Sequence, residues 1–339
     1  MTLQASTPLC SPLSGFAGPA SDWPQRVLVL GGSGFVGQSF CEQWTRAVPG
    51  GILLVPTRRL ARGRAIRHLP GVVLRQADVH DPSALRTLVQ GCDAVVNLVA
   101  ILQGSAAAFE HAHVRLPTQL ASVCAAEGVN RLVHISALGV GLQAPSNYLR
   151  SKTAGEAALA PMGQALTVLR PSVIFGARDR FLNTFARLQA LAPVVPLAGA
   201  SSTFQPVWVE DVAQSIVRSL IKPQHTPAML ECAGPEVYTL ADLVRLAGQW
   251  SGHARPILPL PGPLATLQAL AMEALPGEPL MSRDNLASML VPNVATGQLP
   301  GLSALGITPT SLKAIGPGYL SPGQGCARLD ALRTRAGRH

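Results

Sequence analysis

Charged residues are few in this chain. Asp, Glu, Lys and Arg make up 13% of its 339 residues, where about a quarter is usual for a soluble domain. Only three of the 27 basic residues are lysine, so the net charge of +9 is carried by arginine. The six cysteines (10, 41, 92, 124, 232, 326) form no CxxC or CxxH spacing. That argues against a zinc site or a disulfide framework, and for a reducing, cytoplasmic setting. Although 47% of the residues are hydrophobic, no uninterrupted apolar run reaches the ~18 residues that a membrane-spanning helix needs. Residues 1–25 hold no Lys or Arg and are interrupted by Pro8, Pro12 and Pro19. They lack the basic and continuous apolar regions of a secretory signal and read as a flexible extension.

What is present begins with Gly31-Gly32-Ser33-Gly34-Phe35-Val36-Gly37, directly after the apolar run Val27-Leu28-Val29-Leu30. Three glycines (31, 34, 37) at a turn from a buried strand into a helix (Phe35 to about Trp44) suit a dinucleotide pyrophosphate. Gly31 allows the tight turn, Gly34 lets phosphates approach the main chain, and Gly37 lets the helix pack close to the sheet. The free N–H groups of the helix's first turn would face the anion.

A second strand, Ile52-Leu53-Leu54-Val55, runs into Pro56-Thr57-Arg58-Arg59. This point, about 20 residues beyond the glycines, is where dinucleotide folds meet the adenosine ribose. A carboxylate here would bind the 2′-hydroxyl of NAD, but no acidic residue occurs between Glu42 and Asp78. Two arginines stand instead, and the guanidinium fork suits a 2′-phosphate, so NADP(H) is favoured over NAD(H). The wider cluster Arg58, Arg59, Arg62, Arg64, Arg67 contains no aromatic residue, which argues against a nucleic-acid patch.

Further strands are expected at Val72–Leu74, with Asp78 and Val79 at its exit, at Ala94–Val99 and at Leu132–Ser136. Asp81-Pro82 caps the helix between the first two of these, and Gly91 closes it. A helix after Val99 and Ala100 ends near Gly128, with Pro117 kinking it or starting a new one. Strand and helix alternate throughout, which predicts an α/β, doubly wound parallel (Rossmann) sheet. Candidate boundaries are a flexible extension 1–25, a NAD(P)-binding Rossmann domain 26–175, a smaller α/β substrate-side domain 176–325 with strands returning to the first sheet, and a basic tail 326–339. In the second half, Glu210 to about Ile221 reads as a helix with an acidic first turn, Met229–Gly234 as a strand, and Thr239 as a helix cap. The apolar segment 260–275 is expected to be buried in the second domain, the alternative being a helix docked on a partner or a membrane surface.

Tyr148 and Lys152 lie four apart in Tyr-Leu-Arg-Ser-Lys, and on a helix share one face. Beside a nicotinamide, the ammonium would lower the phenol's pKa and hold the cofactor ribose, leaving tyrosine as general acid or base at a carbonyl. Ser136 would hydrogen-bond the same oxygen. His134 reads as a core histidine.

The order Gly31-x-x-Gly34-x-x-Gly37, Asp78, Ser136, Tyr148-x-x-x-Lys152, then Arg170-Pro171-Ser172-Val173-Ile174-Phe175-Gly176 resembles the short-chain dehydrogenase/reductase superfamily in its extended or atypical form. Within it, Ile135–Gly139, Tyr148–Lys152, Phe175–Asn183, Phe204–Ala213, Gly306–Pro309 and Gly316–Leu320 are similar to the NADPH-binding accessory subunits of respiratory complex I and their bacterial relatives. The resemblance implies cofactor contacts from Gly31, Ser33, Gly34, Phe35, Val36, Gly37, Arg58, Arg59, Asp78, Val79, Val99, Ala100, Tyr148, Lys152 and Pro171. It also implies a nucleotide held as a structural element near a quinone-reducing region, a respiratory or quinone-related protein partner, and peripheral contact with the inner face of the cytoplasmic membrane. An active NADP(H)-dependent oxidoreductase on an apolar carbonyl or quinone-like substrate is the alternative. A sugar-nucleotide epimerase or dehydratase, with Arg178, Arg180 and Arg187 toward a nucleotide diphosphate, is a third.

Overall fold

A computed structural model describes residues 23–223, 226–274, 279, 281–321 and 332. Nearly all of the N-terminal extension and of the basic tail lies outside the described residues. Six strands run in chain order: β1 (Arg26–Leu30), β2 (Ile52–Thr57), β3 (Val72–Gln76), β4 (Ala94–Asn97), β5 (Leu132–Ile135) and β6 (Leu166–Pro171). Two-residue and three-residue pairings follow: β7 (Ile174–Phe175) with β10 (Val207–Trp208), β9 (Thr203–Phe204) with β12 (Tyr238–Thr239), and β8 (Val195–Leu197) with β13 (Ile257–Pro259). The strand β11 (Met229–Cys232) returns to the main sheet beside β6. That sheet has seven parallel strands in the order β11-β6-β5-β4-β1-β2-β3.

The period of two along each strand sorts the core. Val27 and Val29 of β1 point into one apolar layer with Phe40 and Trp44 of α1 (Phe35–Ala47) and Ile216 and Leu220 of α7 (Val209–Ile221). Leu28 and Leu30 point into the opposite layer with Leu85 of α2 (Pro82–Val89), Leu120 of α4 (Leu116–Ala126) and Leu159 of α5 (Asn147–Leu159). Covering both faces is what lets the strands be apolar without alternation. Strand order reverses between β1 and β4, so the crevice at their carboxyl ends is the topological switch point where such folds take ligands.

The helical stretch before Gly128 changes character at Pro117, which sits in the first turn of a new α-helix as one of the two expected outcomes. It runs as α3 (Ala106–Glu110), a π turn over His111–Arg115, then α4. Proline lacks an N–H and its ring crowds the carbonyl four residues back, and the wider turn absorbs both defects. Gly155 of α5 packs on that turn: a Cβ there would lie 2.1 Å from the His113 carbonyl oxygen.

A smaller apolar cluster joins α6 (Leu182–Leu191), α8 (Leu240–Ser251) and α11 (Leu312–Leu320) through Leu182, Ala186, Leu243, Ala247, Leu312 and Tyr319. The expected burial of segment 260–275 is not what the structure has. Within it, α9 (Gly262–Glu273) buries only Ala265 and Ala269 and leaves Leu264, Leu267 and Leu270 at 51%, 61% and 42% exposure. Its leucines and alanines are spread around the helix, so composition could not say which face the rest of the chain covers. Residue 275 lies outside the described residues. No helix among the described residues is long and apolar enough to cross a membrane.

Candidate functional site

The turn from β1 into α1 is fixed by glycines, with roles shared differently from the sequence expectation. Gly31 has φ +80°, and a Cβ there would press on the Leu98 main chain at 3.0 Å. Gly37 packs on the turn itself rather than on the sheet: its Cβ would stand 2.5 Å from Gly32 Cα. The residue against the sheet is Gly32, unremarked by the G-x-x-G-x-x-G reading, whose Cβ would meet Val55 and Val29 at 2.9 and 3.0 Å. Around Gly34, the N-cap of α1, a Cβ would find only Gly31 O at 3.1 Å. The turn is closed by Gly34 N–H to Gly31 O (2.9 Å) and by Gln38 Nε2 to Ser33 O (2.8 Å). The first-turn N–H groups of α1, from Phe35 and Val36 onward, lack intrahelical acceptors. A bare cradle of this shape fits a pyrophosphate.

At the exit of β2, Thr57 is buried and donates to Arg59 O (3.1 Å), while Arg58 and Arg59 are exposed and form no ion pair among the described residues. Asp78 follows β3 and accepts from His80 N–H (3.1 Å); Val79 is half-buried beside it. Val99 and Ala100 follow β4, where buried Asn97 accepts from Val99 N–H at 3.2 Å and shapes the strand exit. Pro171 is buried at the end of β6 and accepts from Leu138 N–H.

Helix α5 carries Tyr148 and Lys152. Its amino end is capped by Ser146 Oγ and by a carboxylate from far along the chain. Asp284 of α10 (Arg283–Ser288) accepts from Asn147 N–H (2.7 Å) and Tyr148 N–H (3.0 Å). Lys152 is buried and donates to Ile135 O at 2.9 Å. Burial draws its pKa down to about 8, with Glu156 pulling weakly the other way. Tyr148 is pushed up to about 12 by burial, with no lowering by Lys152. The two side chains share a helix face, and the ammonium is held by the carbonyl at the end of β5. Ser136 follows directly on β5. Its hydroxyl is sealed in the protein with no hydrogen-bond partner among the described residues.

Two histidines missed or set aside in the sequence complete this layer. Ile101 N–H donates to His113 Nε2 (3.1 Å), so the proton sits on Nδ1, which donates to Ser151 Oγ (2.8 Å); Ser151 in turn donates to Tyr148 O (2.7 Å). This locks the first turn of α5 to the π turn, and the rings of His113 and Tyr148 meet edge-on at 5.7 Å. Burial, then Lys152, holds His113 down to about 3. Asn97 Nδ2 faces His134 Nδ1 at 3.2 Å, leaving His134 Nε2 buried and unpartnered; burial lowers its pKa well below the ordinary range. His134 is a core residue.

The other stretches that carry the resemblance are joints. Asp179 accepts from Gly176, Phe181 and Asn183 N–H groups and from the Tyr319 hydroxyl (2.8 Å), tying 175–183 to 316–320. Asp211 accepts from Thr310 N–H at 2.7 Å, tying α7 to the segment after Gly306. Arg178 pairs with Glu42 of α1 at 3.7 Å, and Arg187 lies exposed on α6. Among the described residues no group of His, Cys, Asp and Glu is disposed to hold a metal ion.

A seven-stranded parallel Rossmann sheet with a glycine turn at its switch point and Tyr-x-x-x-Lys on the helix after β5 defines the extended short-chain dehydrogenase/reductase class. The model of the NAD dependent epimerase/dehydratase family matches residues 27–238, and the chain belongs to that family. It is similar to the protein of Mus musculus named NADH dehydrogenase (ubiquinone) 1 alpha subcomplex subunit 9, mitochondrial: 30% identical over 294 residues, covering 84% of this chain and 77% of that protein. The Arabidopsis thaliana protein of the same name is 27% identical over 305 residues, covering 84% and 74%. The crystal structure of gox2253 shares the fold, with a TM-score of 0.67 at 20% identity over 93% of this chain and 99% of that one.

Proposed function

We propose that this chain holds NADP(H) as a resident structural group within a respiratory or quinone-related protein assembly, with little or no turnover. The observation that carries the reading is the state of the Tyr148–Lys152 pair. Lys152 is committed to the Ile135 carbonyl, and burial leaves the Tyr148 phenol at about 12. The Ser136 hydroxyl is enclosed and has no partner among the described residues. The glycine turn would hold the pyrophosphate, and Arg58 and Arg59 would receive a 2′-phosphate, which favours NADP(H) over NAD(H). Partnership in a respiratory assembly is supported by the similarity to the two subunits named above.

When bound, the nicotinamide supplies hydride chemistry. An active oxidoreductase is the second reading, favoured by the presence of both Tyr148 and Lys152 one helical turn apart. The protein loaded with NADPH and mixed with quinones or aldehydes separates the two readings through the near-ultraviolet absorbance of reduced nicotinamide. Stable absorbance in wild type supports the resident role. Decay that disappears in Tyr148→Phe overturns it.

A further inference from the structure

The adenosine end of the crevice holds a feature that the two arginines do not account for. His80, two residues past Asp78, stacks on His111, the first residue of the π turn, with ring centroids 4.0 Å apart and planes 24° apart. His80 is half-buried and His111 exposed. The loop that carries His80 is pinned by its own N–H donating to Asp78 Oδ1 at 3.1 Å. Three elements converge here: the exit of β2 with Arg58, the exit of β3 with Asp78 and His80, and the helix after β4 with His111.

The charged groups acting on His80 are His111 and Arg58, which oppose its cation, and Asp78, which favours it. Burial opposes the cation more strongly than any of them. Two imidazoles and a guanidinium meet one carboxylate, Asp78, where the ends of β2 and β3 lie side by side, Ala77 N–H donating to Thr57 O at 3.2 Å. A phosphate monoester carries about −1.5 to −2 charge near neutral pH and three acceptor oxygens. Placed here it would reverse the balance at His80 and take up a proton as it binds.

We propose that His80, braced by its stack on His111, is a specificity-determining residue for the ribose 2′-phosphate, acting beside Arg58, and that the preference for NADP(H) steepens as pH falls. The proposal rests on the assignment of Arg58 and Arg59 to the 2′-phosphate. It goes beyond that assignment by adding a proton-coupled ligand from a different element.

The test compares 2′,5′-ADP with 5′-AMP, which differ in the 2′-phosphate alone, by calorimetric titration of the full chain at pH 8, 7.2 and 6.5. With a second pKa of about 6 the phosphate is only about a quarter protonated at pH 6.5, and that protonation weakens binding and so opposes the trend sought. In wild type the affinity ratio should rise several-fold over this range, within the limit of about tenfold per pH unit set by uptake of one proton. In His80→Gln the ratio should fall and become independent of pH. His111→Phe keeps the ring stack without its charge and should retain the slope, which distinguishes loss of a ligand from collapse of the loop. A pH-independent ratio in wild type, or an unchanged slope in His80→Gln, overturns the role of His80 while leaving the arginines in place. Equal affinity for the two ligands in wild type at every pH overturns the arginine assignment and this proposal with it.

Discussion

Gly34 and Gly37 separate what the turn does for the fold from what it does for a ligand. A Cβ on Gly37 would stand 2.5 Å from Gly32 Cα and 2.6 Å from Gly31 O, main-chain atoms that no rotamer change can move. Overpacking of this kind costs about 1–3 kcal/mol. The helix propensity gained on replacing glycine by alanine returns about 1 kcal/mol, so Gly37→Ala should lose up to about 2 kcal/mol. Gly34 differs. Its backbone is extended, at φ −80° and ψ −177°, and its Cβ would face only Gly31 O at 3.1 Å. The weaker N-cap costs about 1 kcal/mol, offset by about 0.4–1 kcal/mol from a less flexible unfolded chain. Gly34→Ala should therefore unfold at nearly the wild-type temperature without nucleotide. It should nevertheless bind NADP(H) about tenfold or more weakly, because the methyl group occupies the space a phosphate would use. Thermal unfolding with and without NADPH reads both quantities. Wild-type stabilisation by NADPH in Gly34→Ala would refute the placement of the pyrophosphate.

Replacing Arg58 and Arg59 together by alanine should abolish discrimination between NADPH and NADH in equilibrium titration while leaving NADH affinity nearly unchanged. Lys152 titrates at about 8 when folded and near 10.5 when unfolded, so the unfolded chain holds the extra proton in that window. Its contribution to stability should rise with pH between those values, by about 3 kcal/mol in all. Chemical denaturation of Lys152→Met against wild type isolates this slope from the buried thiols of Cys41, Cys124 and Cys232, which sit at about 12 and act oppositely at high pH. His113, held near 3 against an ordinary 6.5, stays neutral in the fold while the unfolded imidazole charges. Stability should fall by about 2 kcal/mol between pH 6.5 and 5 on its account, and His113→Gln should flatten that loss in the same assay.

Much of the scaffold was legible because it rests on local rules. Gly31 needs a positive φ, Asp81-Pro82 is a cap with proline at the first helical position, and Tyr148-x-x-x-Lys152 places two side chains on one face. What those rules could not give was direction at the end of a long side chain. Spacing put Lys152 beside Tyr148, yet the ammonium follows the Ile135 carbonyl on a strand whose packing is tertiary. Asp284 was out of reach for the same reason, since it caps α5 from 136 residues away in sequence. Gly32 was overlooked because the three-glycine spacing drew attention past it, although its neighbours Val29 and Val55 lie on strands that were both recognised. For α9, leucines and alanines spread around the helix carry no amphipathic signal, and the exposed leucines could be found only once β8, β13 and α10 had been put in place around it.

The resident-nucleotide account is tested most directly by denaturing the freshly purified protein and quantifying what it releases. About one NADP(H) per chain is the predicted result. A protein that releases no dinucleotide, and takes none up at saturating NADPH, would contradict it.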